Sequence, residues 1–388
     1  MSKLFDFLND EYYNLMIRMA KESFCEKDSL ECCKDFNKLD NRKLYDICLE
    51  HELEGVVGAR ALSLGLELSE EWKSRIREER ERLLFLREKT SKICEKLSDL
   101  GIRMVILKNG GIMADIIEDP VCCPMEDIDS FVKKSDFLKA HELLEKEGFV
   151  FKFRSEYEKE ELENAYRDGS TEYYYTMPTG NKMWFELSWR AVAGRWIRPD
   201  LEPQSNELIA RSYSAKFSNA FILSPEDNLL QICIHTAKHS YVRAPGLRLH
   251  MDVDRIVSNV DIDWDEFLKK VCLTHVKTAS YFSLYIPKKL FGTNVPDYVL
   301  ESLKPRNSNK IEKLIAKAGL VHPHESKFGK IQFLIFQTLL YDNIGDVLRV
   351  IYPGKGWIIE RYNCKTTREV VTCVIFRFFD LVGIRKKK

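Results

Sequence analysis

The chain has 388 residues, 45% hydrophobic and 31% charged, with Lys+Arg and Asp+Glu each numbering 60. Such a length suggests two or three domains with ample core. The formal net charge of zero argues against a globally basic nucleic-acid binder and leaves room for a local basic groove. The 11 cysteines lack framework spacing. Cys32–Cys33 and Cys122–Cys123 are vicinal and no C-x-x-C occurs, so reduced thiols in a cytoplasmic protein are expected, not disulfides or a zinc site. The first 16 residues carry charges throughout and no apolar run, so no secretion signal is expected. The best apolar stretch, residues 370–384, is short and holds Arg377 and Asp380. It predicts a buried or amphipathic helix and no stable membrane insertion. The tail from Arg385 to Lys388 reads as solvated.

Residues 1–100 predict an N-terminal helical region. Leu4, Phe7 and Leu8, then Tyr12, Leu15 and Met16, recur at helical spacing. Asp40 can cap a helix over 42–51, and Ser69 a long one over 71–100 with Glu70 and Glu71 in its first turn. The charged run 75–82 reads as a solvated face laced with i,i+4 pairs, and Gly101 ends the helix. Residues 101–220 change character. Residues 104–107 predict a buried strand, 112–117 a helix after Gly110 and Gly111, 128–132 a second strand, and 136–147 a helix capped by Ser135. Residues 149–153 predict a strand, and 156–169 a charged, mobile segment. Residues 171–177 and 182–189 predict a hairpin around Pro178-Thr179-Gly180. Residues 221–388 turn helical again, with Ser224-Pro225-Glu226-Asp227 as a strong helix start. Helices are expected over 229–241, 264–278, 281–290, 310–318 and 330–340. The fold class is therefore α+β, a small mixed sheet with helices on it, flanked by helical regions.

Asp127 and Asp129 stand at i and i+2. On a strand both point to one face, ~6.6 Å apart along the chain, with Ile128 turned to the core. Glu186 alternates with Phe185 and Leu187 and supplies a third acid from a neighbouring strand. Three carboxylates on one sheet face pack poorly without a cation between them. Magnesium fits, because it takes hard oxygen ligands and keeps substrate phosphates in its shell. Two such ions ~3.5–4 Å apart can hold the attacking and leaving oxygens of an in-line displacement. Upstream, Gly110 and Gly111 between strand and helix offer backbone amides to a triphosphate, and Lys108 adds a point charge.

These residues resemble the nucleotidyltransferase superfamily of DNA polymerase beta, and more narrowly an uncharacterised bacterial nucleotidyltransferase family. The matching motifs are Leu107-Lys108, Glu118-Asp119-Pro120, the run from Pro124 through Asp127-Ile128-Asp129 to Val132, Glu186-Leu187-Ser188-Trp189, Leu229 to His239, and Leu348 to Tyr362. The resemblance spans most of the chain. It implies a polymerase-beta-like core and transfer of a nucleoside monophosphate from a nucleoside triphosphate to an acceptor hydroxyl. Asp127, Asp129 and Glu186 would serve as catalytic metal ligands, and Lys108, Asn109, Gly110, Gly111 and His239 as nucleotide-binding residues. A protein, a small molecule or an RNA end could be the acceptor. Asn109 stands where the family has glycine, Cys123 where it has arginine, and Ser188 where it has histidine. These departures keep open a second reading, a nucleotide-binding or interaction protein that retains the fold without turnover.

Other candidates carry less. His235 and His239 have helical i,i+4 spacing but no H-E-x-x-H glutamate, so they read as polar groups facing the catalytic sheet. His250-Met251-Asp252 lacks the asparagine and glycine loop of a phosphotransferase. Asp261, Asp263 and Asp265 lack the glycine and terminal glutamate of a calcium loop and mark a helix start. One of the cluster Tyr173, Tyr174, Tyr175, Trp184, Trp189 and Trp196 could stack a base. Cys123 has no paired base in the sequence around it.

Overall fold

The computed structural model describes residues 3–155, 160–190, 197–362 and 364–381. Five helices lead into the sheet: α1 (Glu11–Ala20), α2 (Glu26–Phe36), α3 (Asn41–Glu50), α4 (Glu54–Ser63) and α5 (Glu70–Asp99). Side-chain caps set their starts. Asp10 accepts from the amides of Tyr12 and Tyr13, Asp40 from Arg42 and Lys43, and Ser69 from Trp72, each worth about 0.5–2 kcal/mol. The buried stripe of α5, which includes Trp72, Ile76, Leu83, Leu86, Ile93 and Leu97, follows the helical period. Its charged run departs from the expected solvated face. Arg80 donates to both oxygens of Asp119, Arg82 to the carbonyl of Met125, and Arg87 to that of Glu118. These arginines grip the loop that precedes the two aspartates.

The central region runs β1 (Val105–Ile106), α6 (Lys108–Asp115), β2 (Asp127–Phe131), α7 (Phe137–Lys146), β3 (Val150–Phe151), α8 (Leu162–Asp168), β4 (Ser170–Thr176), β5 (Lys182–Ser188), α9 (Ser205–Arg211), β6 (Tyr213–Ser214) and β7 (Phe221–Ile222). The strands form one mixed sheet in the order β3-β4-β5-β2-β1-β7-β6. β2 runs parallel to β5 and antiparallel to β1, and β4 and β5 are the expected hairpin. Three local differences from the sequence expectation have clear causes. Ser135 turns its hydroxyl to Asp136 inside a short 3-10 turn instead of capping α7. The segment expected to be mobile contains α8, closed by Gly169 at φ +94°, with residues 156–159 outside the described set. α6 starts four residues early, so Gly110 and Gly111 lie within its first turn and not before it.

Helices complete the chain: α10 (Pro225–Lys238), α11 (Arg248–Asn259), α12 (Trp264–Thr274), α13 (Lys277–Leu290), α14 (Asp297–Leu303), α15 (Ser308–Ala318), α16 (Lys330–Leu339), α17 (Ile344–Ile351), α18 (Lys355–Tyr362) and α19 (Thr367–Leu381). Ser224 caps α10 as expected. The helix expected over 264–278 breaks at His275, which sits at φ +55°, and Asp263 caps α12. One core joins the N-terminal helices (Leu15, Trp72), the buried sheet face (Ile128, Phe185, Leu187) and the C-terminal helices (Ile232, Met251, Phe282). Among the described residues no helix is long and apolar enough to cross a membrane.

Candidate active site

The strand register builds the site. Asp129 on β2 lies directly opposite Glu186 on β5, and Glu186 lies opposite Glu172 on β4. Opposed residues share a sheet face, so Asp129, Glu186 and Glu172 form a row across three strands. Asp127 stands one strand repeat away, opposite Trp184. On the other face Ile128, Phe185 and Leu187 are fully buried in the core. Alternation of one strand therefore fixes both the core and the acids.

Two cations meet the acids from opposite sides. Lys108 Nζ lies 2.5 Å from Asp129 Oδ1. Arg154, in the loop after β3, donates from its guanidinium to Asp127 and Glu172, and from its backbone amide to Glu172 Oε2 at 2.7 Å. Lys108 begins α6 with φ +51°, a left-handed conformation that side chains rarely adopt. Burial alone would lower its ammonium pKa, but Asp129 and Glu186 more than offset this and hold it above the ordinary lysine range.

Even with these cations the acids are under-neutralised. Burial and the adjacent Asp129 push Glu186 up to about 7, and burial with Asp129 also raises Asp127 despite Arg154. Among the described residues no three histidine, cysteine or carboxylate side chains already stand as a metal cage; Asp127 and Asp129 are each engaged by a basic side chain. The donor set still fits a hard cation. It offers only carboxylate oxygens, crowded enough that one holds its proton near neutrality, and that deficit is what a divalent ion relieves.

The glycines serve the approach of α6 to β1. A Cβ on Gly110 would stand 2.7 Å from Ile106 Cγ2, and one on Gly111 2.8 Å from the Ile106 carbonyl oxygen. The Gly111 amide is spent on the Leu107 carbonyl, so the first-turn amides of Lys108, Asn109 and Gly110 are the ones a phosphate could meet. Asn109 turns its side chain away from the acids. Its Nδ2 donates to the Pro124 carbonyl at 3.2 Å and to Asp252 Oδ1 at 3.4 Å. Arg248 donates to the same carbonyl, bringing a guanidinium from α11 to the loop where Cys123 stands in place of arginine. Burial pushes the Cys123 thiol up to about 12, which rules against a nucleophile. Ser188 donates to the Ser130 carbonyl at 2.9 Å and so ties β5 to β2.

His235 and His239 pack edge to face, 4.8 Å between centroids, close enough to Lys108 for its charge to act on both. Burial lowers His235 strongly and His239 to about 4. His239 Nδ1 lies 2.5 Å from the Ala244 carbonyl, which fixes the proton on Nδ1 and leaves Nε2 as an acceptor. A neutral His239 offers no cation to a phosphate, only a lone pair to a hydroxyl or water.

Arg154 and Glu172 were not singled out by the sequence, whereas the open-face aromatics Trp184 and Tyr174 belong to the cluster expected to offer a stacking ring. A signal existed: the turn between Met177 and Asn181 sets a register that places Glu172 opposite Glu186.

Asp127, Asp129 and Glu186 thus share one sheet face beside the N-terminus of α6 and Lys108. The chain belongs to the uncharacterised nucleotidyltransferase family, whose model matches residues 37–292, a stretch that contains every residue of this site. No curated protein matches the chain.

Proposed function

We propose that this protein is a metal-dependent nucleotidyltransferase with a polymerase-beta-like core, moving a nucleoside monophosphate from a nucleoside triphosphate to an acceptor hydroxyl. The observation that carries this reading is the in-register row of Asp129 and Glu186 with Asp127 beside it, flanked by Lys108 at the start of α6. Asp127, Asp129 and Glu186 would hold Mg2+, two ions in all. Bound there, Mg2+ neutralises phosphate oxygens and lowers the pKa of the acceptor hydroxyl. Lys108 exchanges Asp129 for the triphosphate, and the amides of Asn109 and Gly110 receive its oxygens. The acceptor oxygen then bonds to the α-phosphorus, the bond from that phosphorus to the bridging oxygen breaks, and pyrophosphate leaves on the Lys108 side. The hydroxyl proton goes to solvent.

The reading without turnover rests on Asn109, Cys123 and Ser188. All three are spent on packing and strand pairing away from the carboxylate oxygens, which favours retained chemistry. Calorimetry of ATP, GTP, CTP and UTP with and without Mg2+ tests the site. Binding of one or more triphosphates that requires Mg2+ and disappears in Asp129→Asn is expected. Metal-independent binding unaffected by Asp129→Asn would refute the assignment.

A further inference from the structure

The sheet register extends the open face one row beyond the acids. Asp127 pairs with Trp184, and Trp184 with Tyr174. Their rings meet edge to face at 5.8 Å. Lys182 Nζ lies 4.1 Å from the Tyr174 ring centre and 5.9 Å from that of Trp184, and the Arg154 guanidinium carbon lies 5.4 Å from the Trp184 ring. The core-side aromatics Tyr173 and Phe185 of the same strands are fully buried, whereas Trp184 and Tyr174 are half-buried. The result is an aromatic pair with a cation over each ring, in register with Asp127 and one strand repeat from Asp129 and Glu186.

Its position assigns its use. In-line transfer places the incoming oxygen opposite the leaving pyrophosphate. Lys108 and α6 take the pyrophosphate on the β1 side of β2, so the acceptor approaches from the β5 and β4 side, where the aromatic pair lies. We infer that Trp184, Tyr174, Lys182 and Arg154 form the acceptor subsite, and that the acceptor is a nucleotide with a free hydroxyl. A flat ring stacks on the face of Trp184 with Tyr174 standing beside it, as bases do on aromatic side chains. Its phosphate pairs with Lys182 and with Arg154, which gives up Asp127 as the metal site fills. A nucleotide uses both features at once, whereas a neutral sugar would leave the two cations without an anionic partner. The term acceptor rests on the transfer reading above; the binding itself does not.

Calorimetry on the full chain tests this with AMP, CMP, GMP and UMP, with adenosine and inorganic phosphate as partial ligands, and with a short RNA ending in a free 3′ hydroxyl. Monophosphates are expected to bind at least about tenfold more tightly than adenosine or phosphate. Trp184→Leu should lose that margin, and Trp184→Phe, which keeps a ring, should recover most of it. Lys108→Ala should weaken Mg2+-triphosphate binding and leave monophosphate binding unchanged. Tighter binding of the RNA assigns a polynucleotide end, and equal binding a mononucleotide. Monophosphate affinity unchanged in Trp184→Leu, or matched by phosphate alone, overturns the subsite. If monophosphates bind as expected but no transfer occurs, only the transfer reading fails. If transfer proceeds in Trp184→Leu with an unchanged acceptor KM, only the subsite fails.

Discussion

The acid row and the buried seam along α11 are built from nearly the same parts. At the seam Glu52 pairs with Arg248 and Glu22 with Arg255, Asp252 feels both guanidinium charges, and Asp254 lies beside Glu22. In the row Asp127, Asp129, Glu186 and Glu172 meet Lys108 and Arg154. Each has four acids and two basic side chains. The seam meets part of its deficit with neutral donors, although burial still raises Glu52, Asp252 and Asp254 above the ordinary carboxylate range. Asp254 accepts from Thr293 Oγ1 at 2.7 Å and the Glu22 amide at 3.1 Å, Asp252 from Asn109, and Glu22 from Asn259. In the row, the carboxylates of Asp127, Asp129 and Glu186 meet only the two basic side chains and one another among the described residues. The seam is sealed from solvent, with Asp252, Asp254 and Arg255 fully buried, and joins the N-terminal helices to α11, whereas Asp127, Glu172 and Glu186 of the row are only half-buried. The row is left for a ligand to complete.

Substitutions should therefore act oppositely in the two places. The largest effect is expected from Asp129→Asn or Asp127→Asn, which should lower transfer by about 10²–10³-fold or more while costing less metal-free stability than a seam substitution, because the lost ion pair with Lys108 or Arg154 is offset by relief of repulsion between the acids. Parallel turnover and denaturant titrations check both halves. At the seam, Arg255→Ala should cost about 3–5 kcal/mol of stability, since it strands Glu22 and Asp252 without their cation, and should leave activity per folded molecule intact. A loss under about 1 kcal/mol would show that the seam's neutral donors suffice alone.

The row should also answer to pH. The folded pKa of Glu186 lies near 7 against an ordinary 4.5, so its protonated form is favoured by folding. That contribution is full below pH 4.5 and is lost as pH rises through 7. Metal-free protein should therefore weaken over this window, Glu186→Gln should flatten the dependence, and Mg2+ should raise Tm more at pH 8 than at pH 5.5. Thermal scans across pH with and without Mg2+ check it. The smallest effect is expected from Gly110→Ala, where the new methyl meets Ile106 Cγ2. A cost of about 1–3 kcal/mol from overpacking with Mg2+-triphosphate binding retained would confirm that this glycine serves packing and not a turn.

Much of this was legible in the residues. The i,i+2 spacing of Asp127 and Asp129 around a core isoleucine, and the alternation at Glu186, gave the row because strand periodicity is local. Caps at Asp40, Ser69 and Ser224 gave helix starts for the same reason. What stayed hidden depends on contacts far along the chain. The α5 arginines read as solvated because Asp119 and the carbonyl of Met125 reach them only after folding. Nothing local reveals that the Asn109 side chain turns to Asp252, more than 100 residues later. Arg154 falls between the strand expected over 149–153 and the charged segment 156–169, and its role comes from the sheet that brings Asp127 and Glu172 beside it.

Label position tests the central claim most directly. Wild-type protein is incubated with Mg2+, a cell extract or candidate acceptor, and the same triphosphate labelled at either the α- or the γ-phosphorus. The account predicts α-label in the acceptor, γ-label in released pyrophosphate, and neither with Asp129→Asn. γ-Label in the acceptor, or α-label transfer that survives Asp129→Asn, would contradict it.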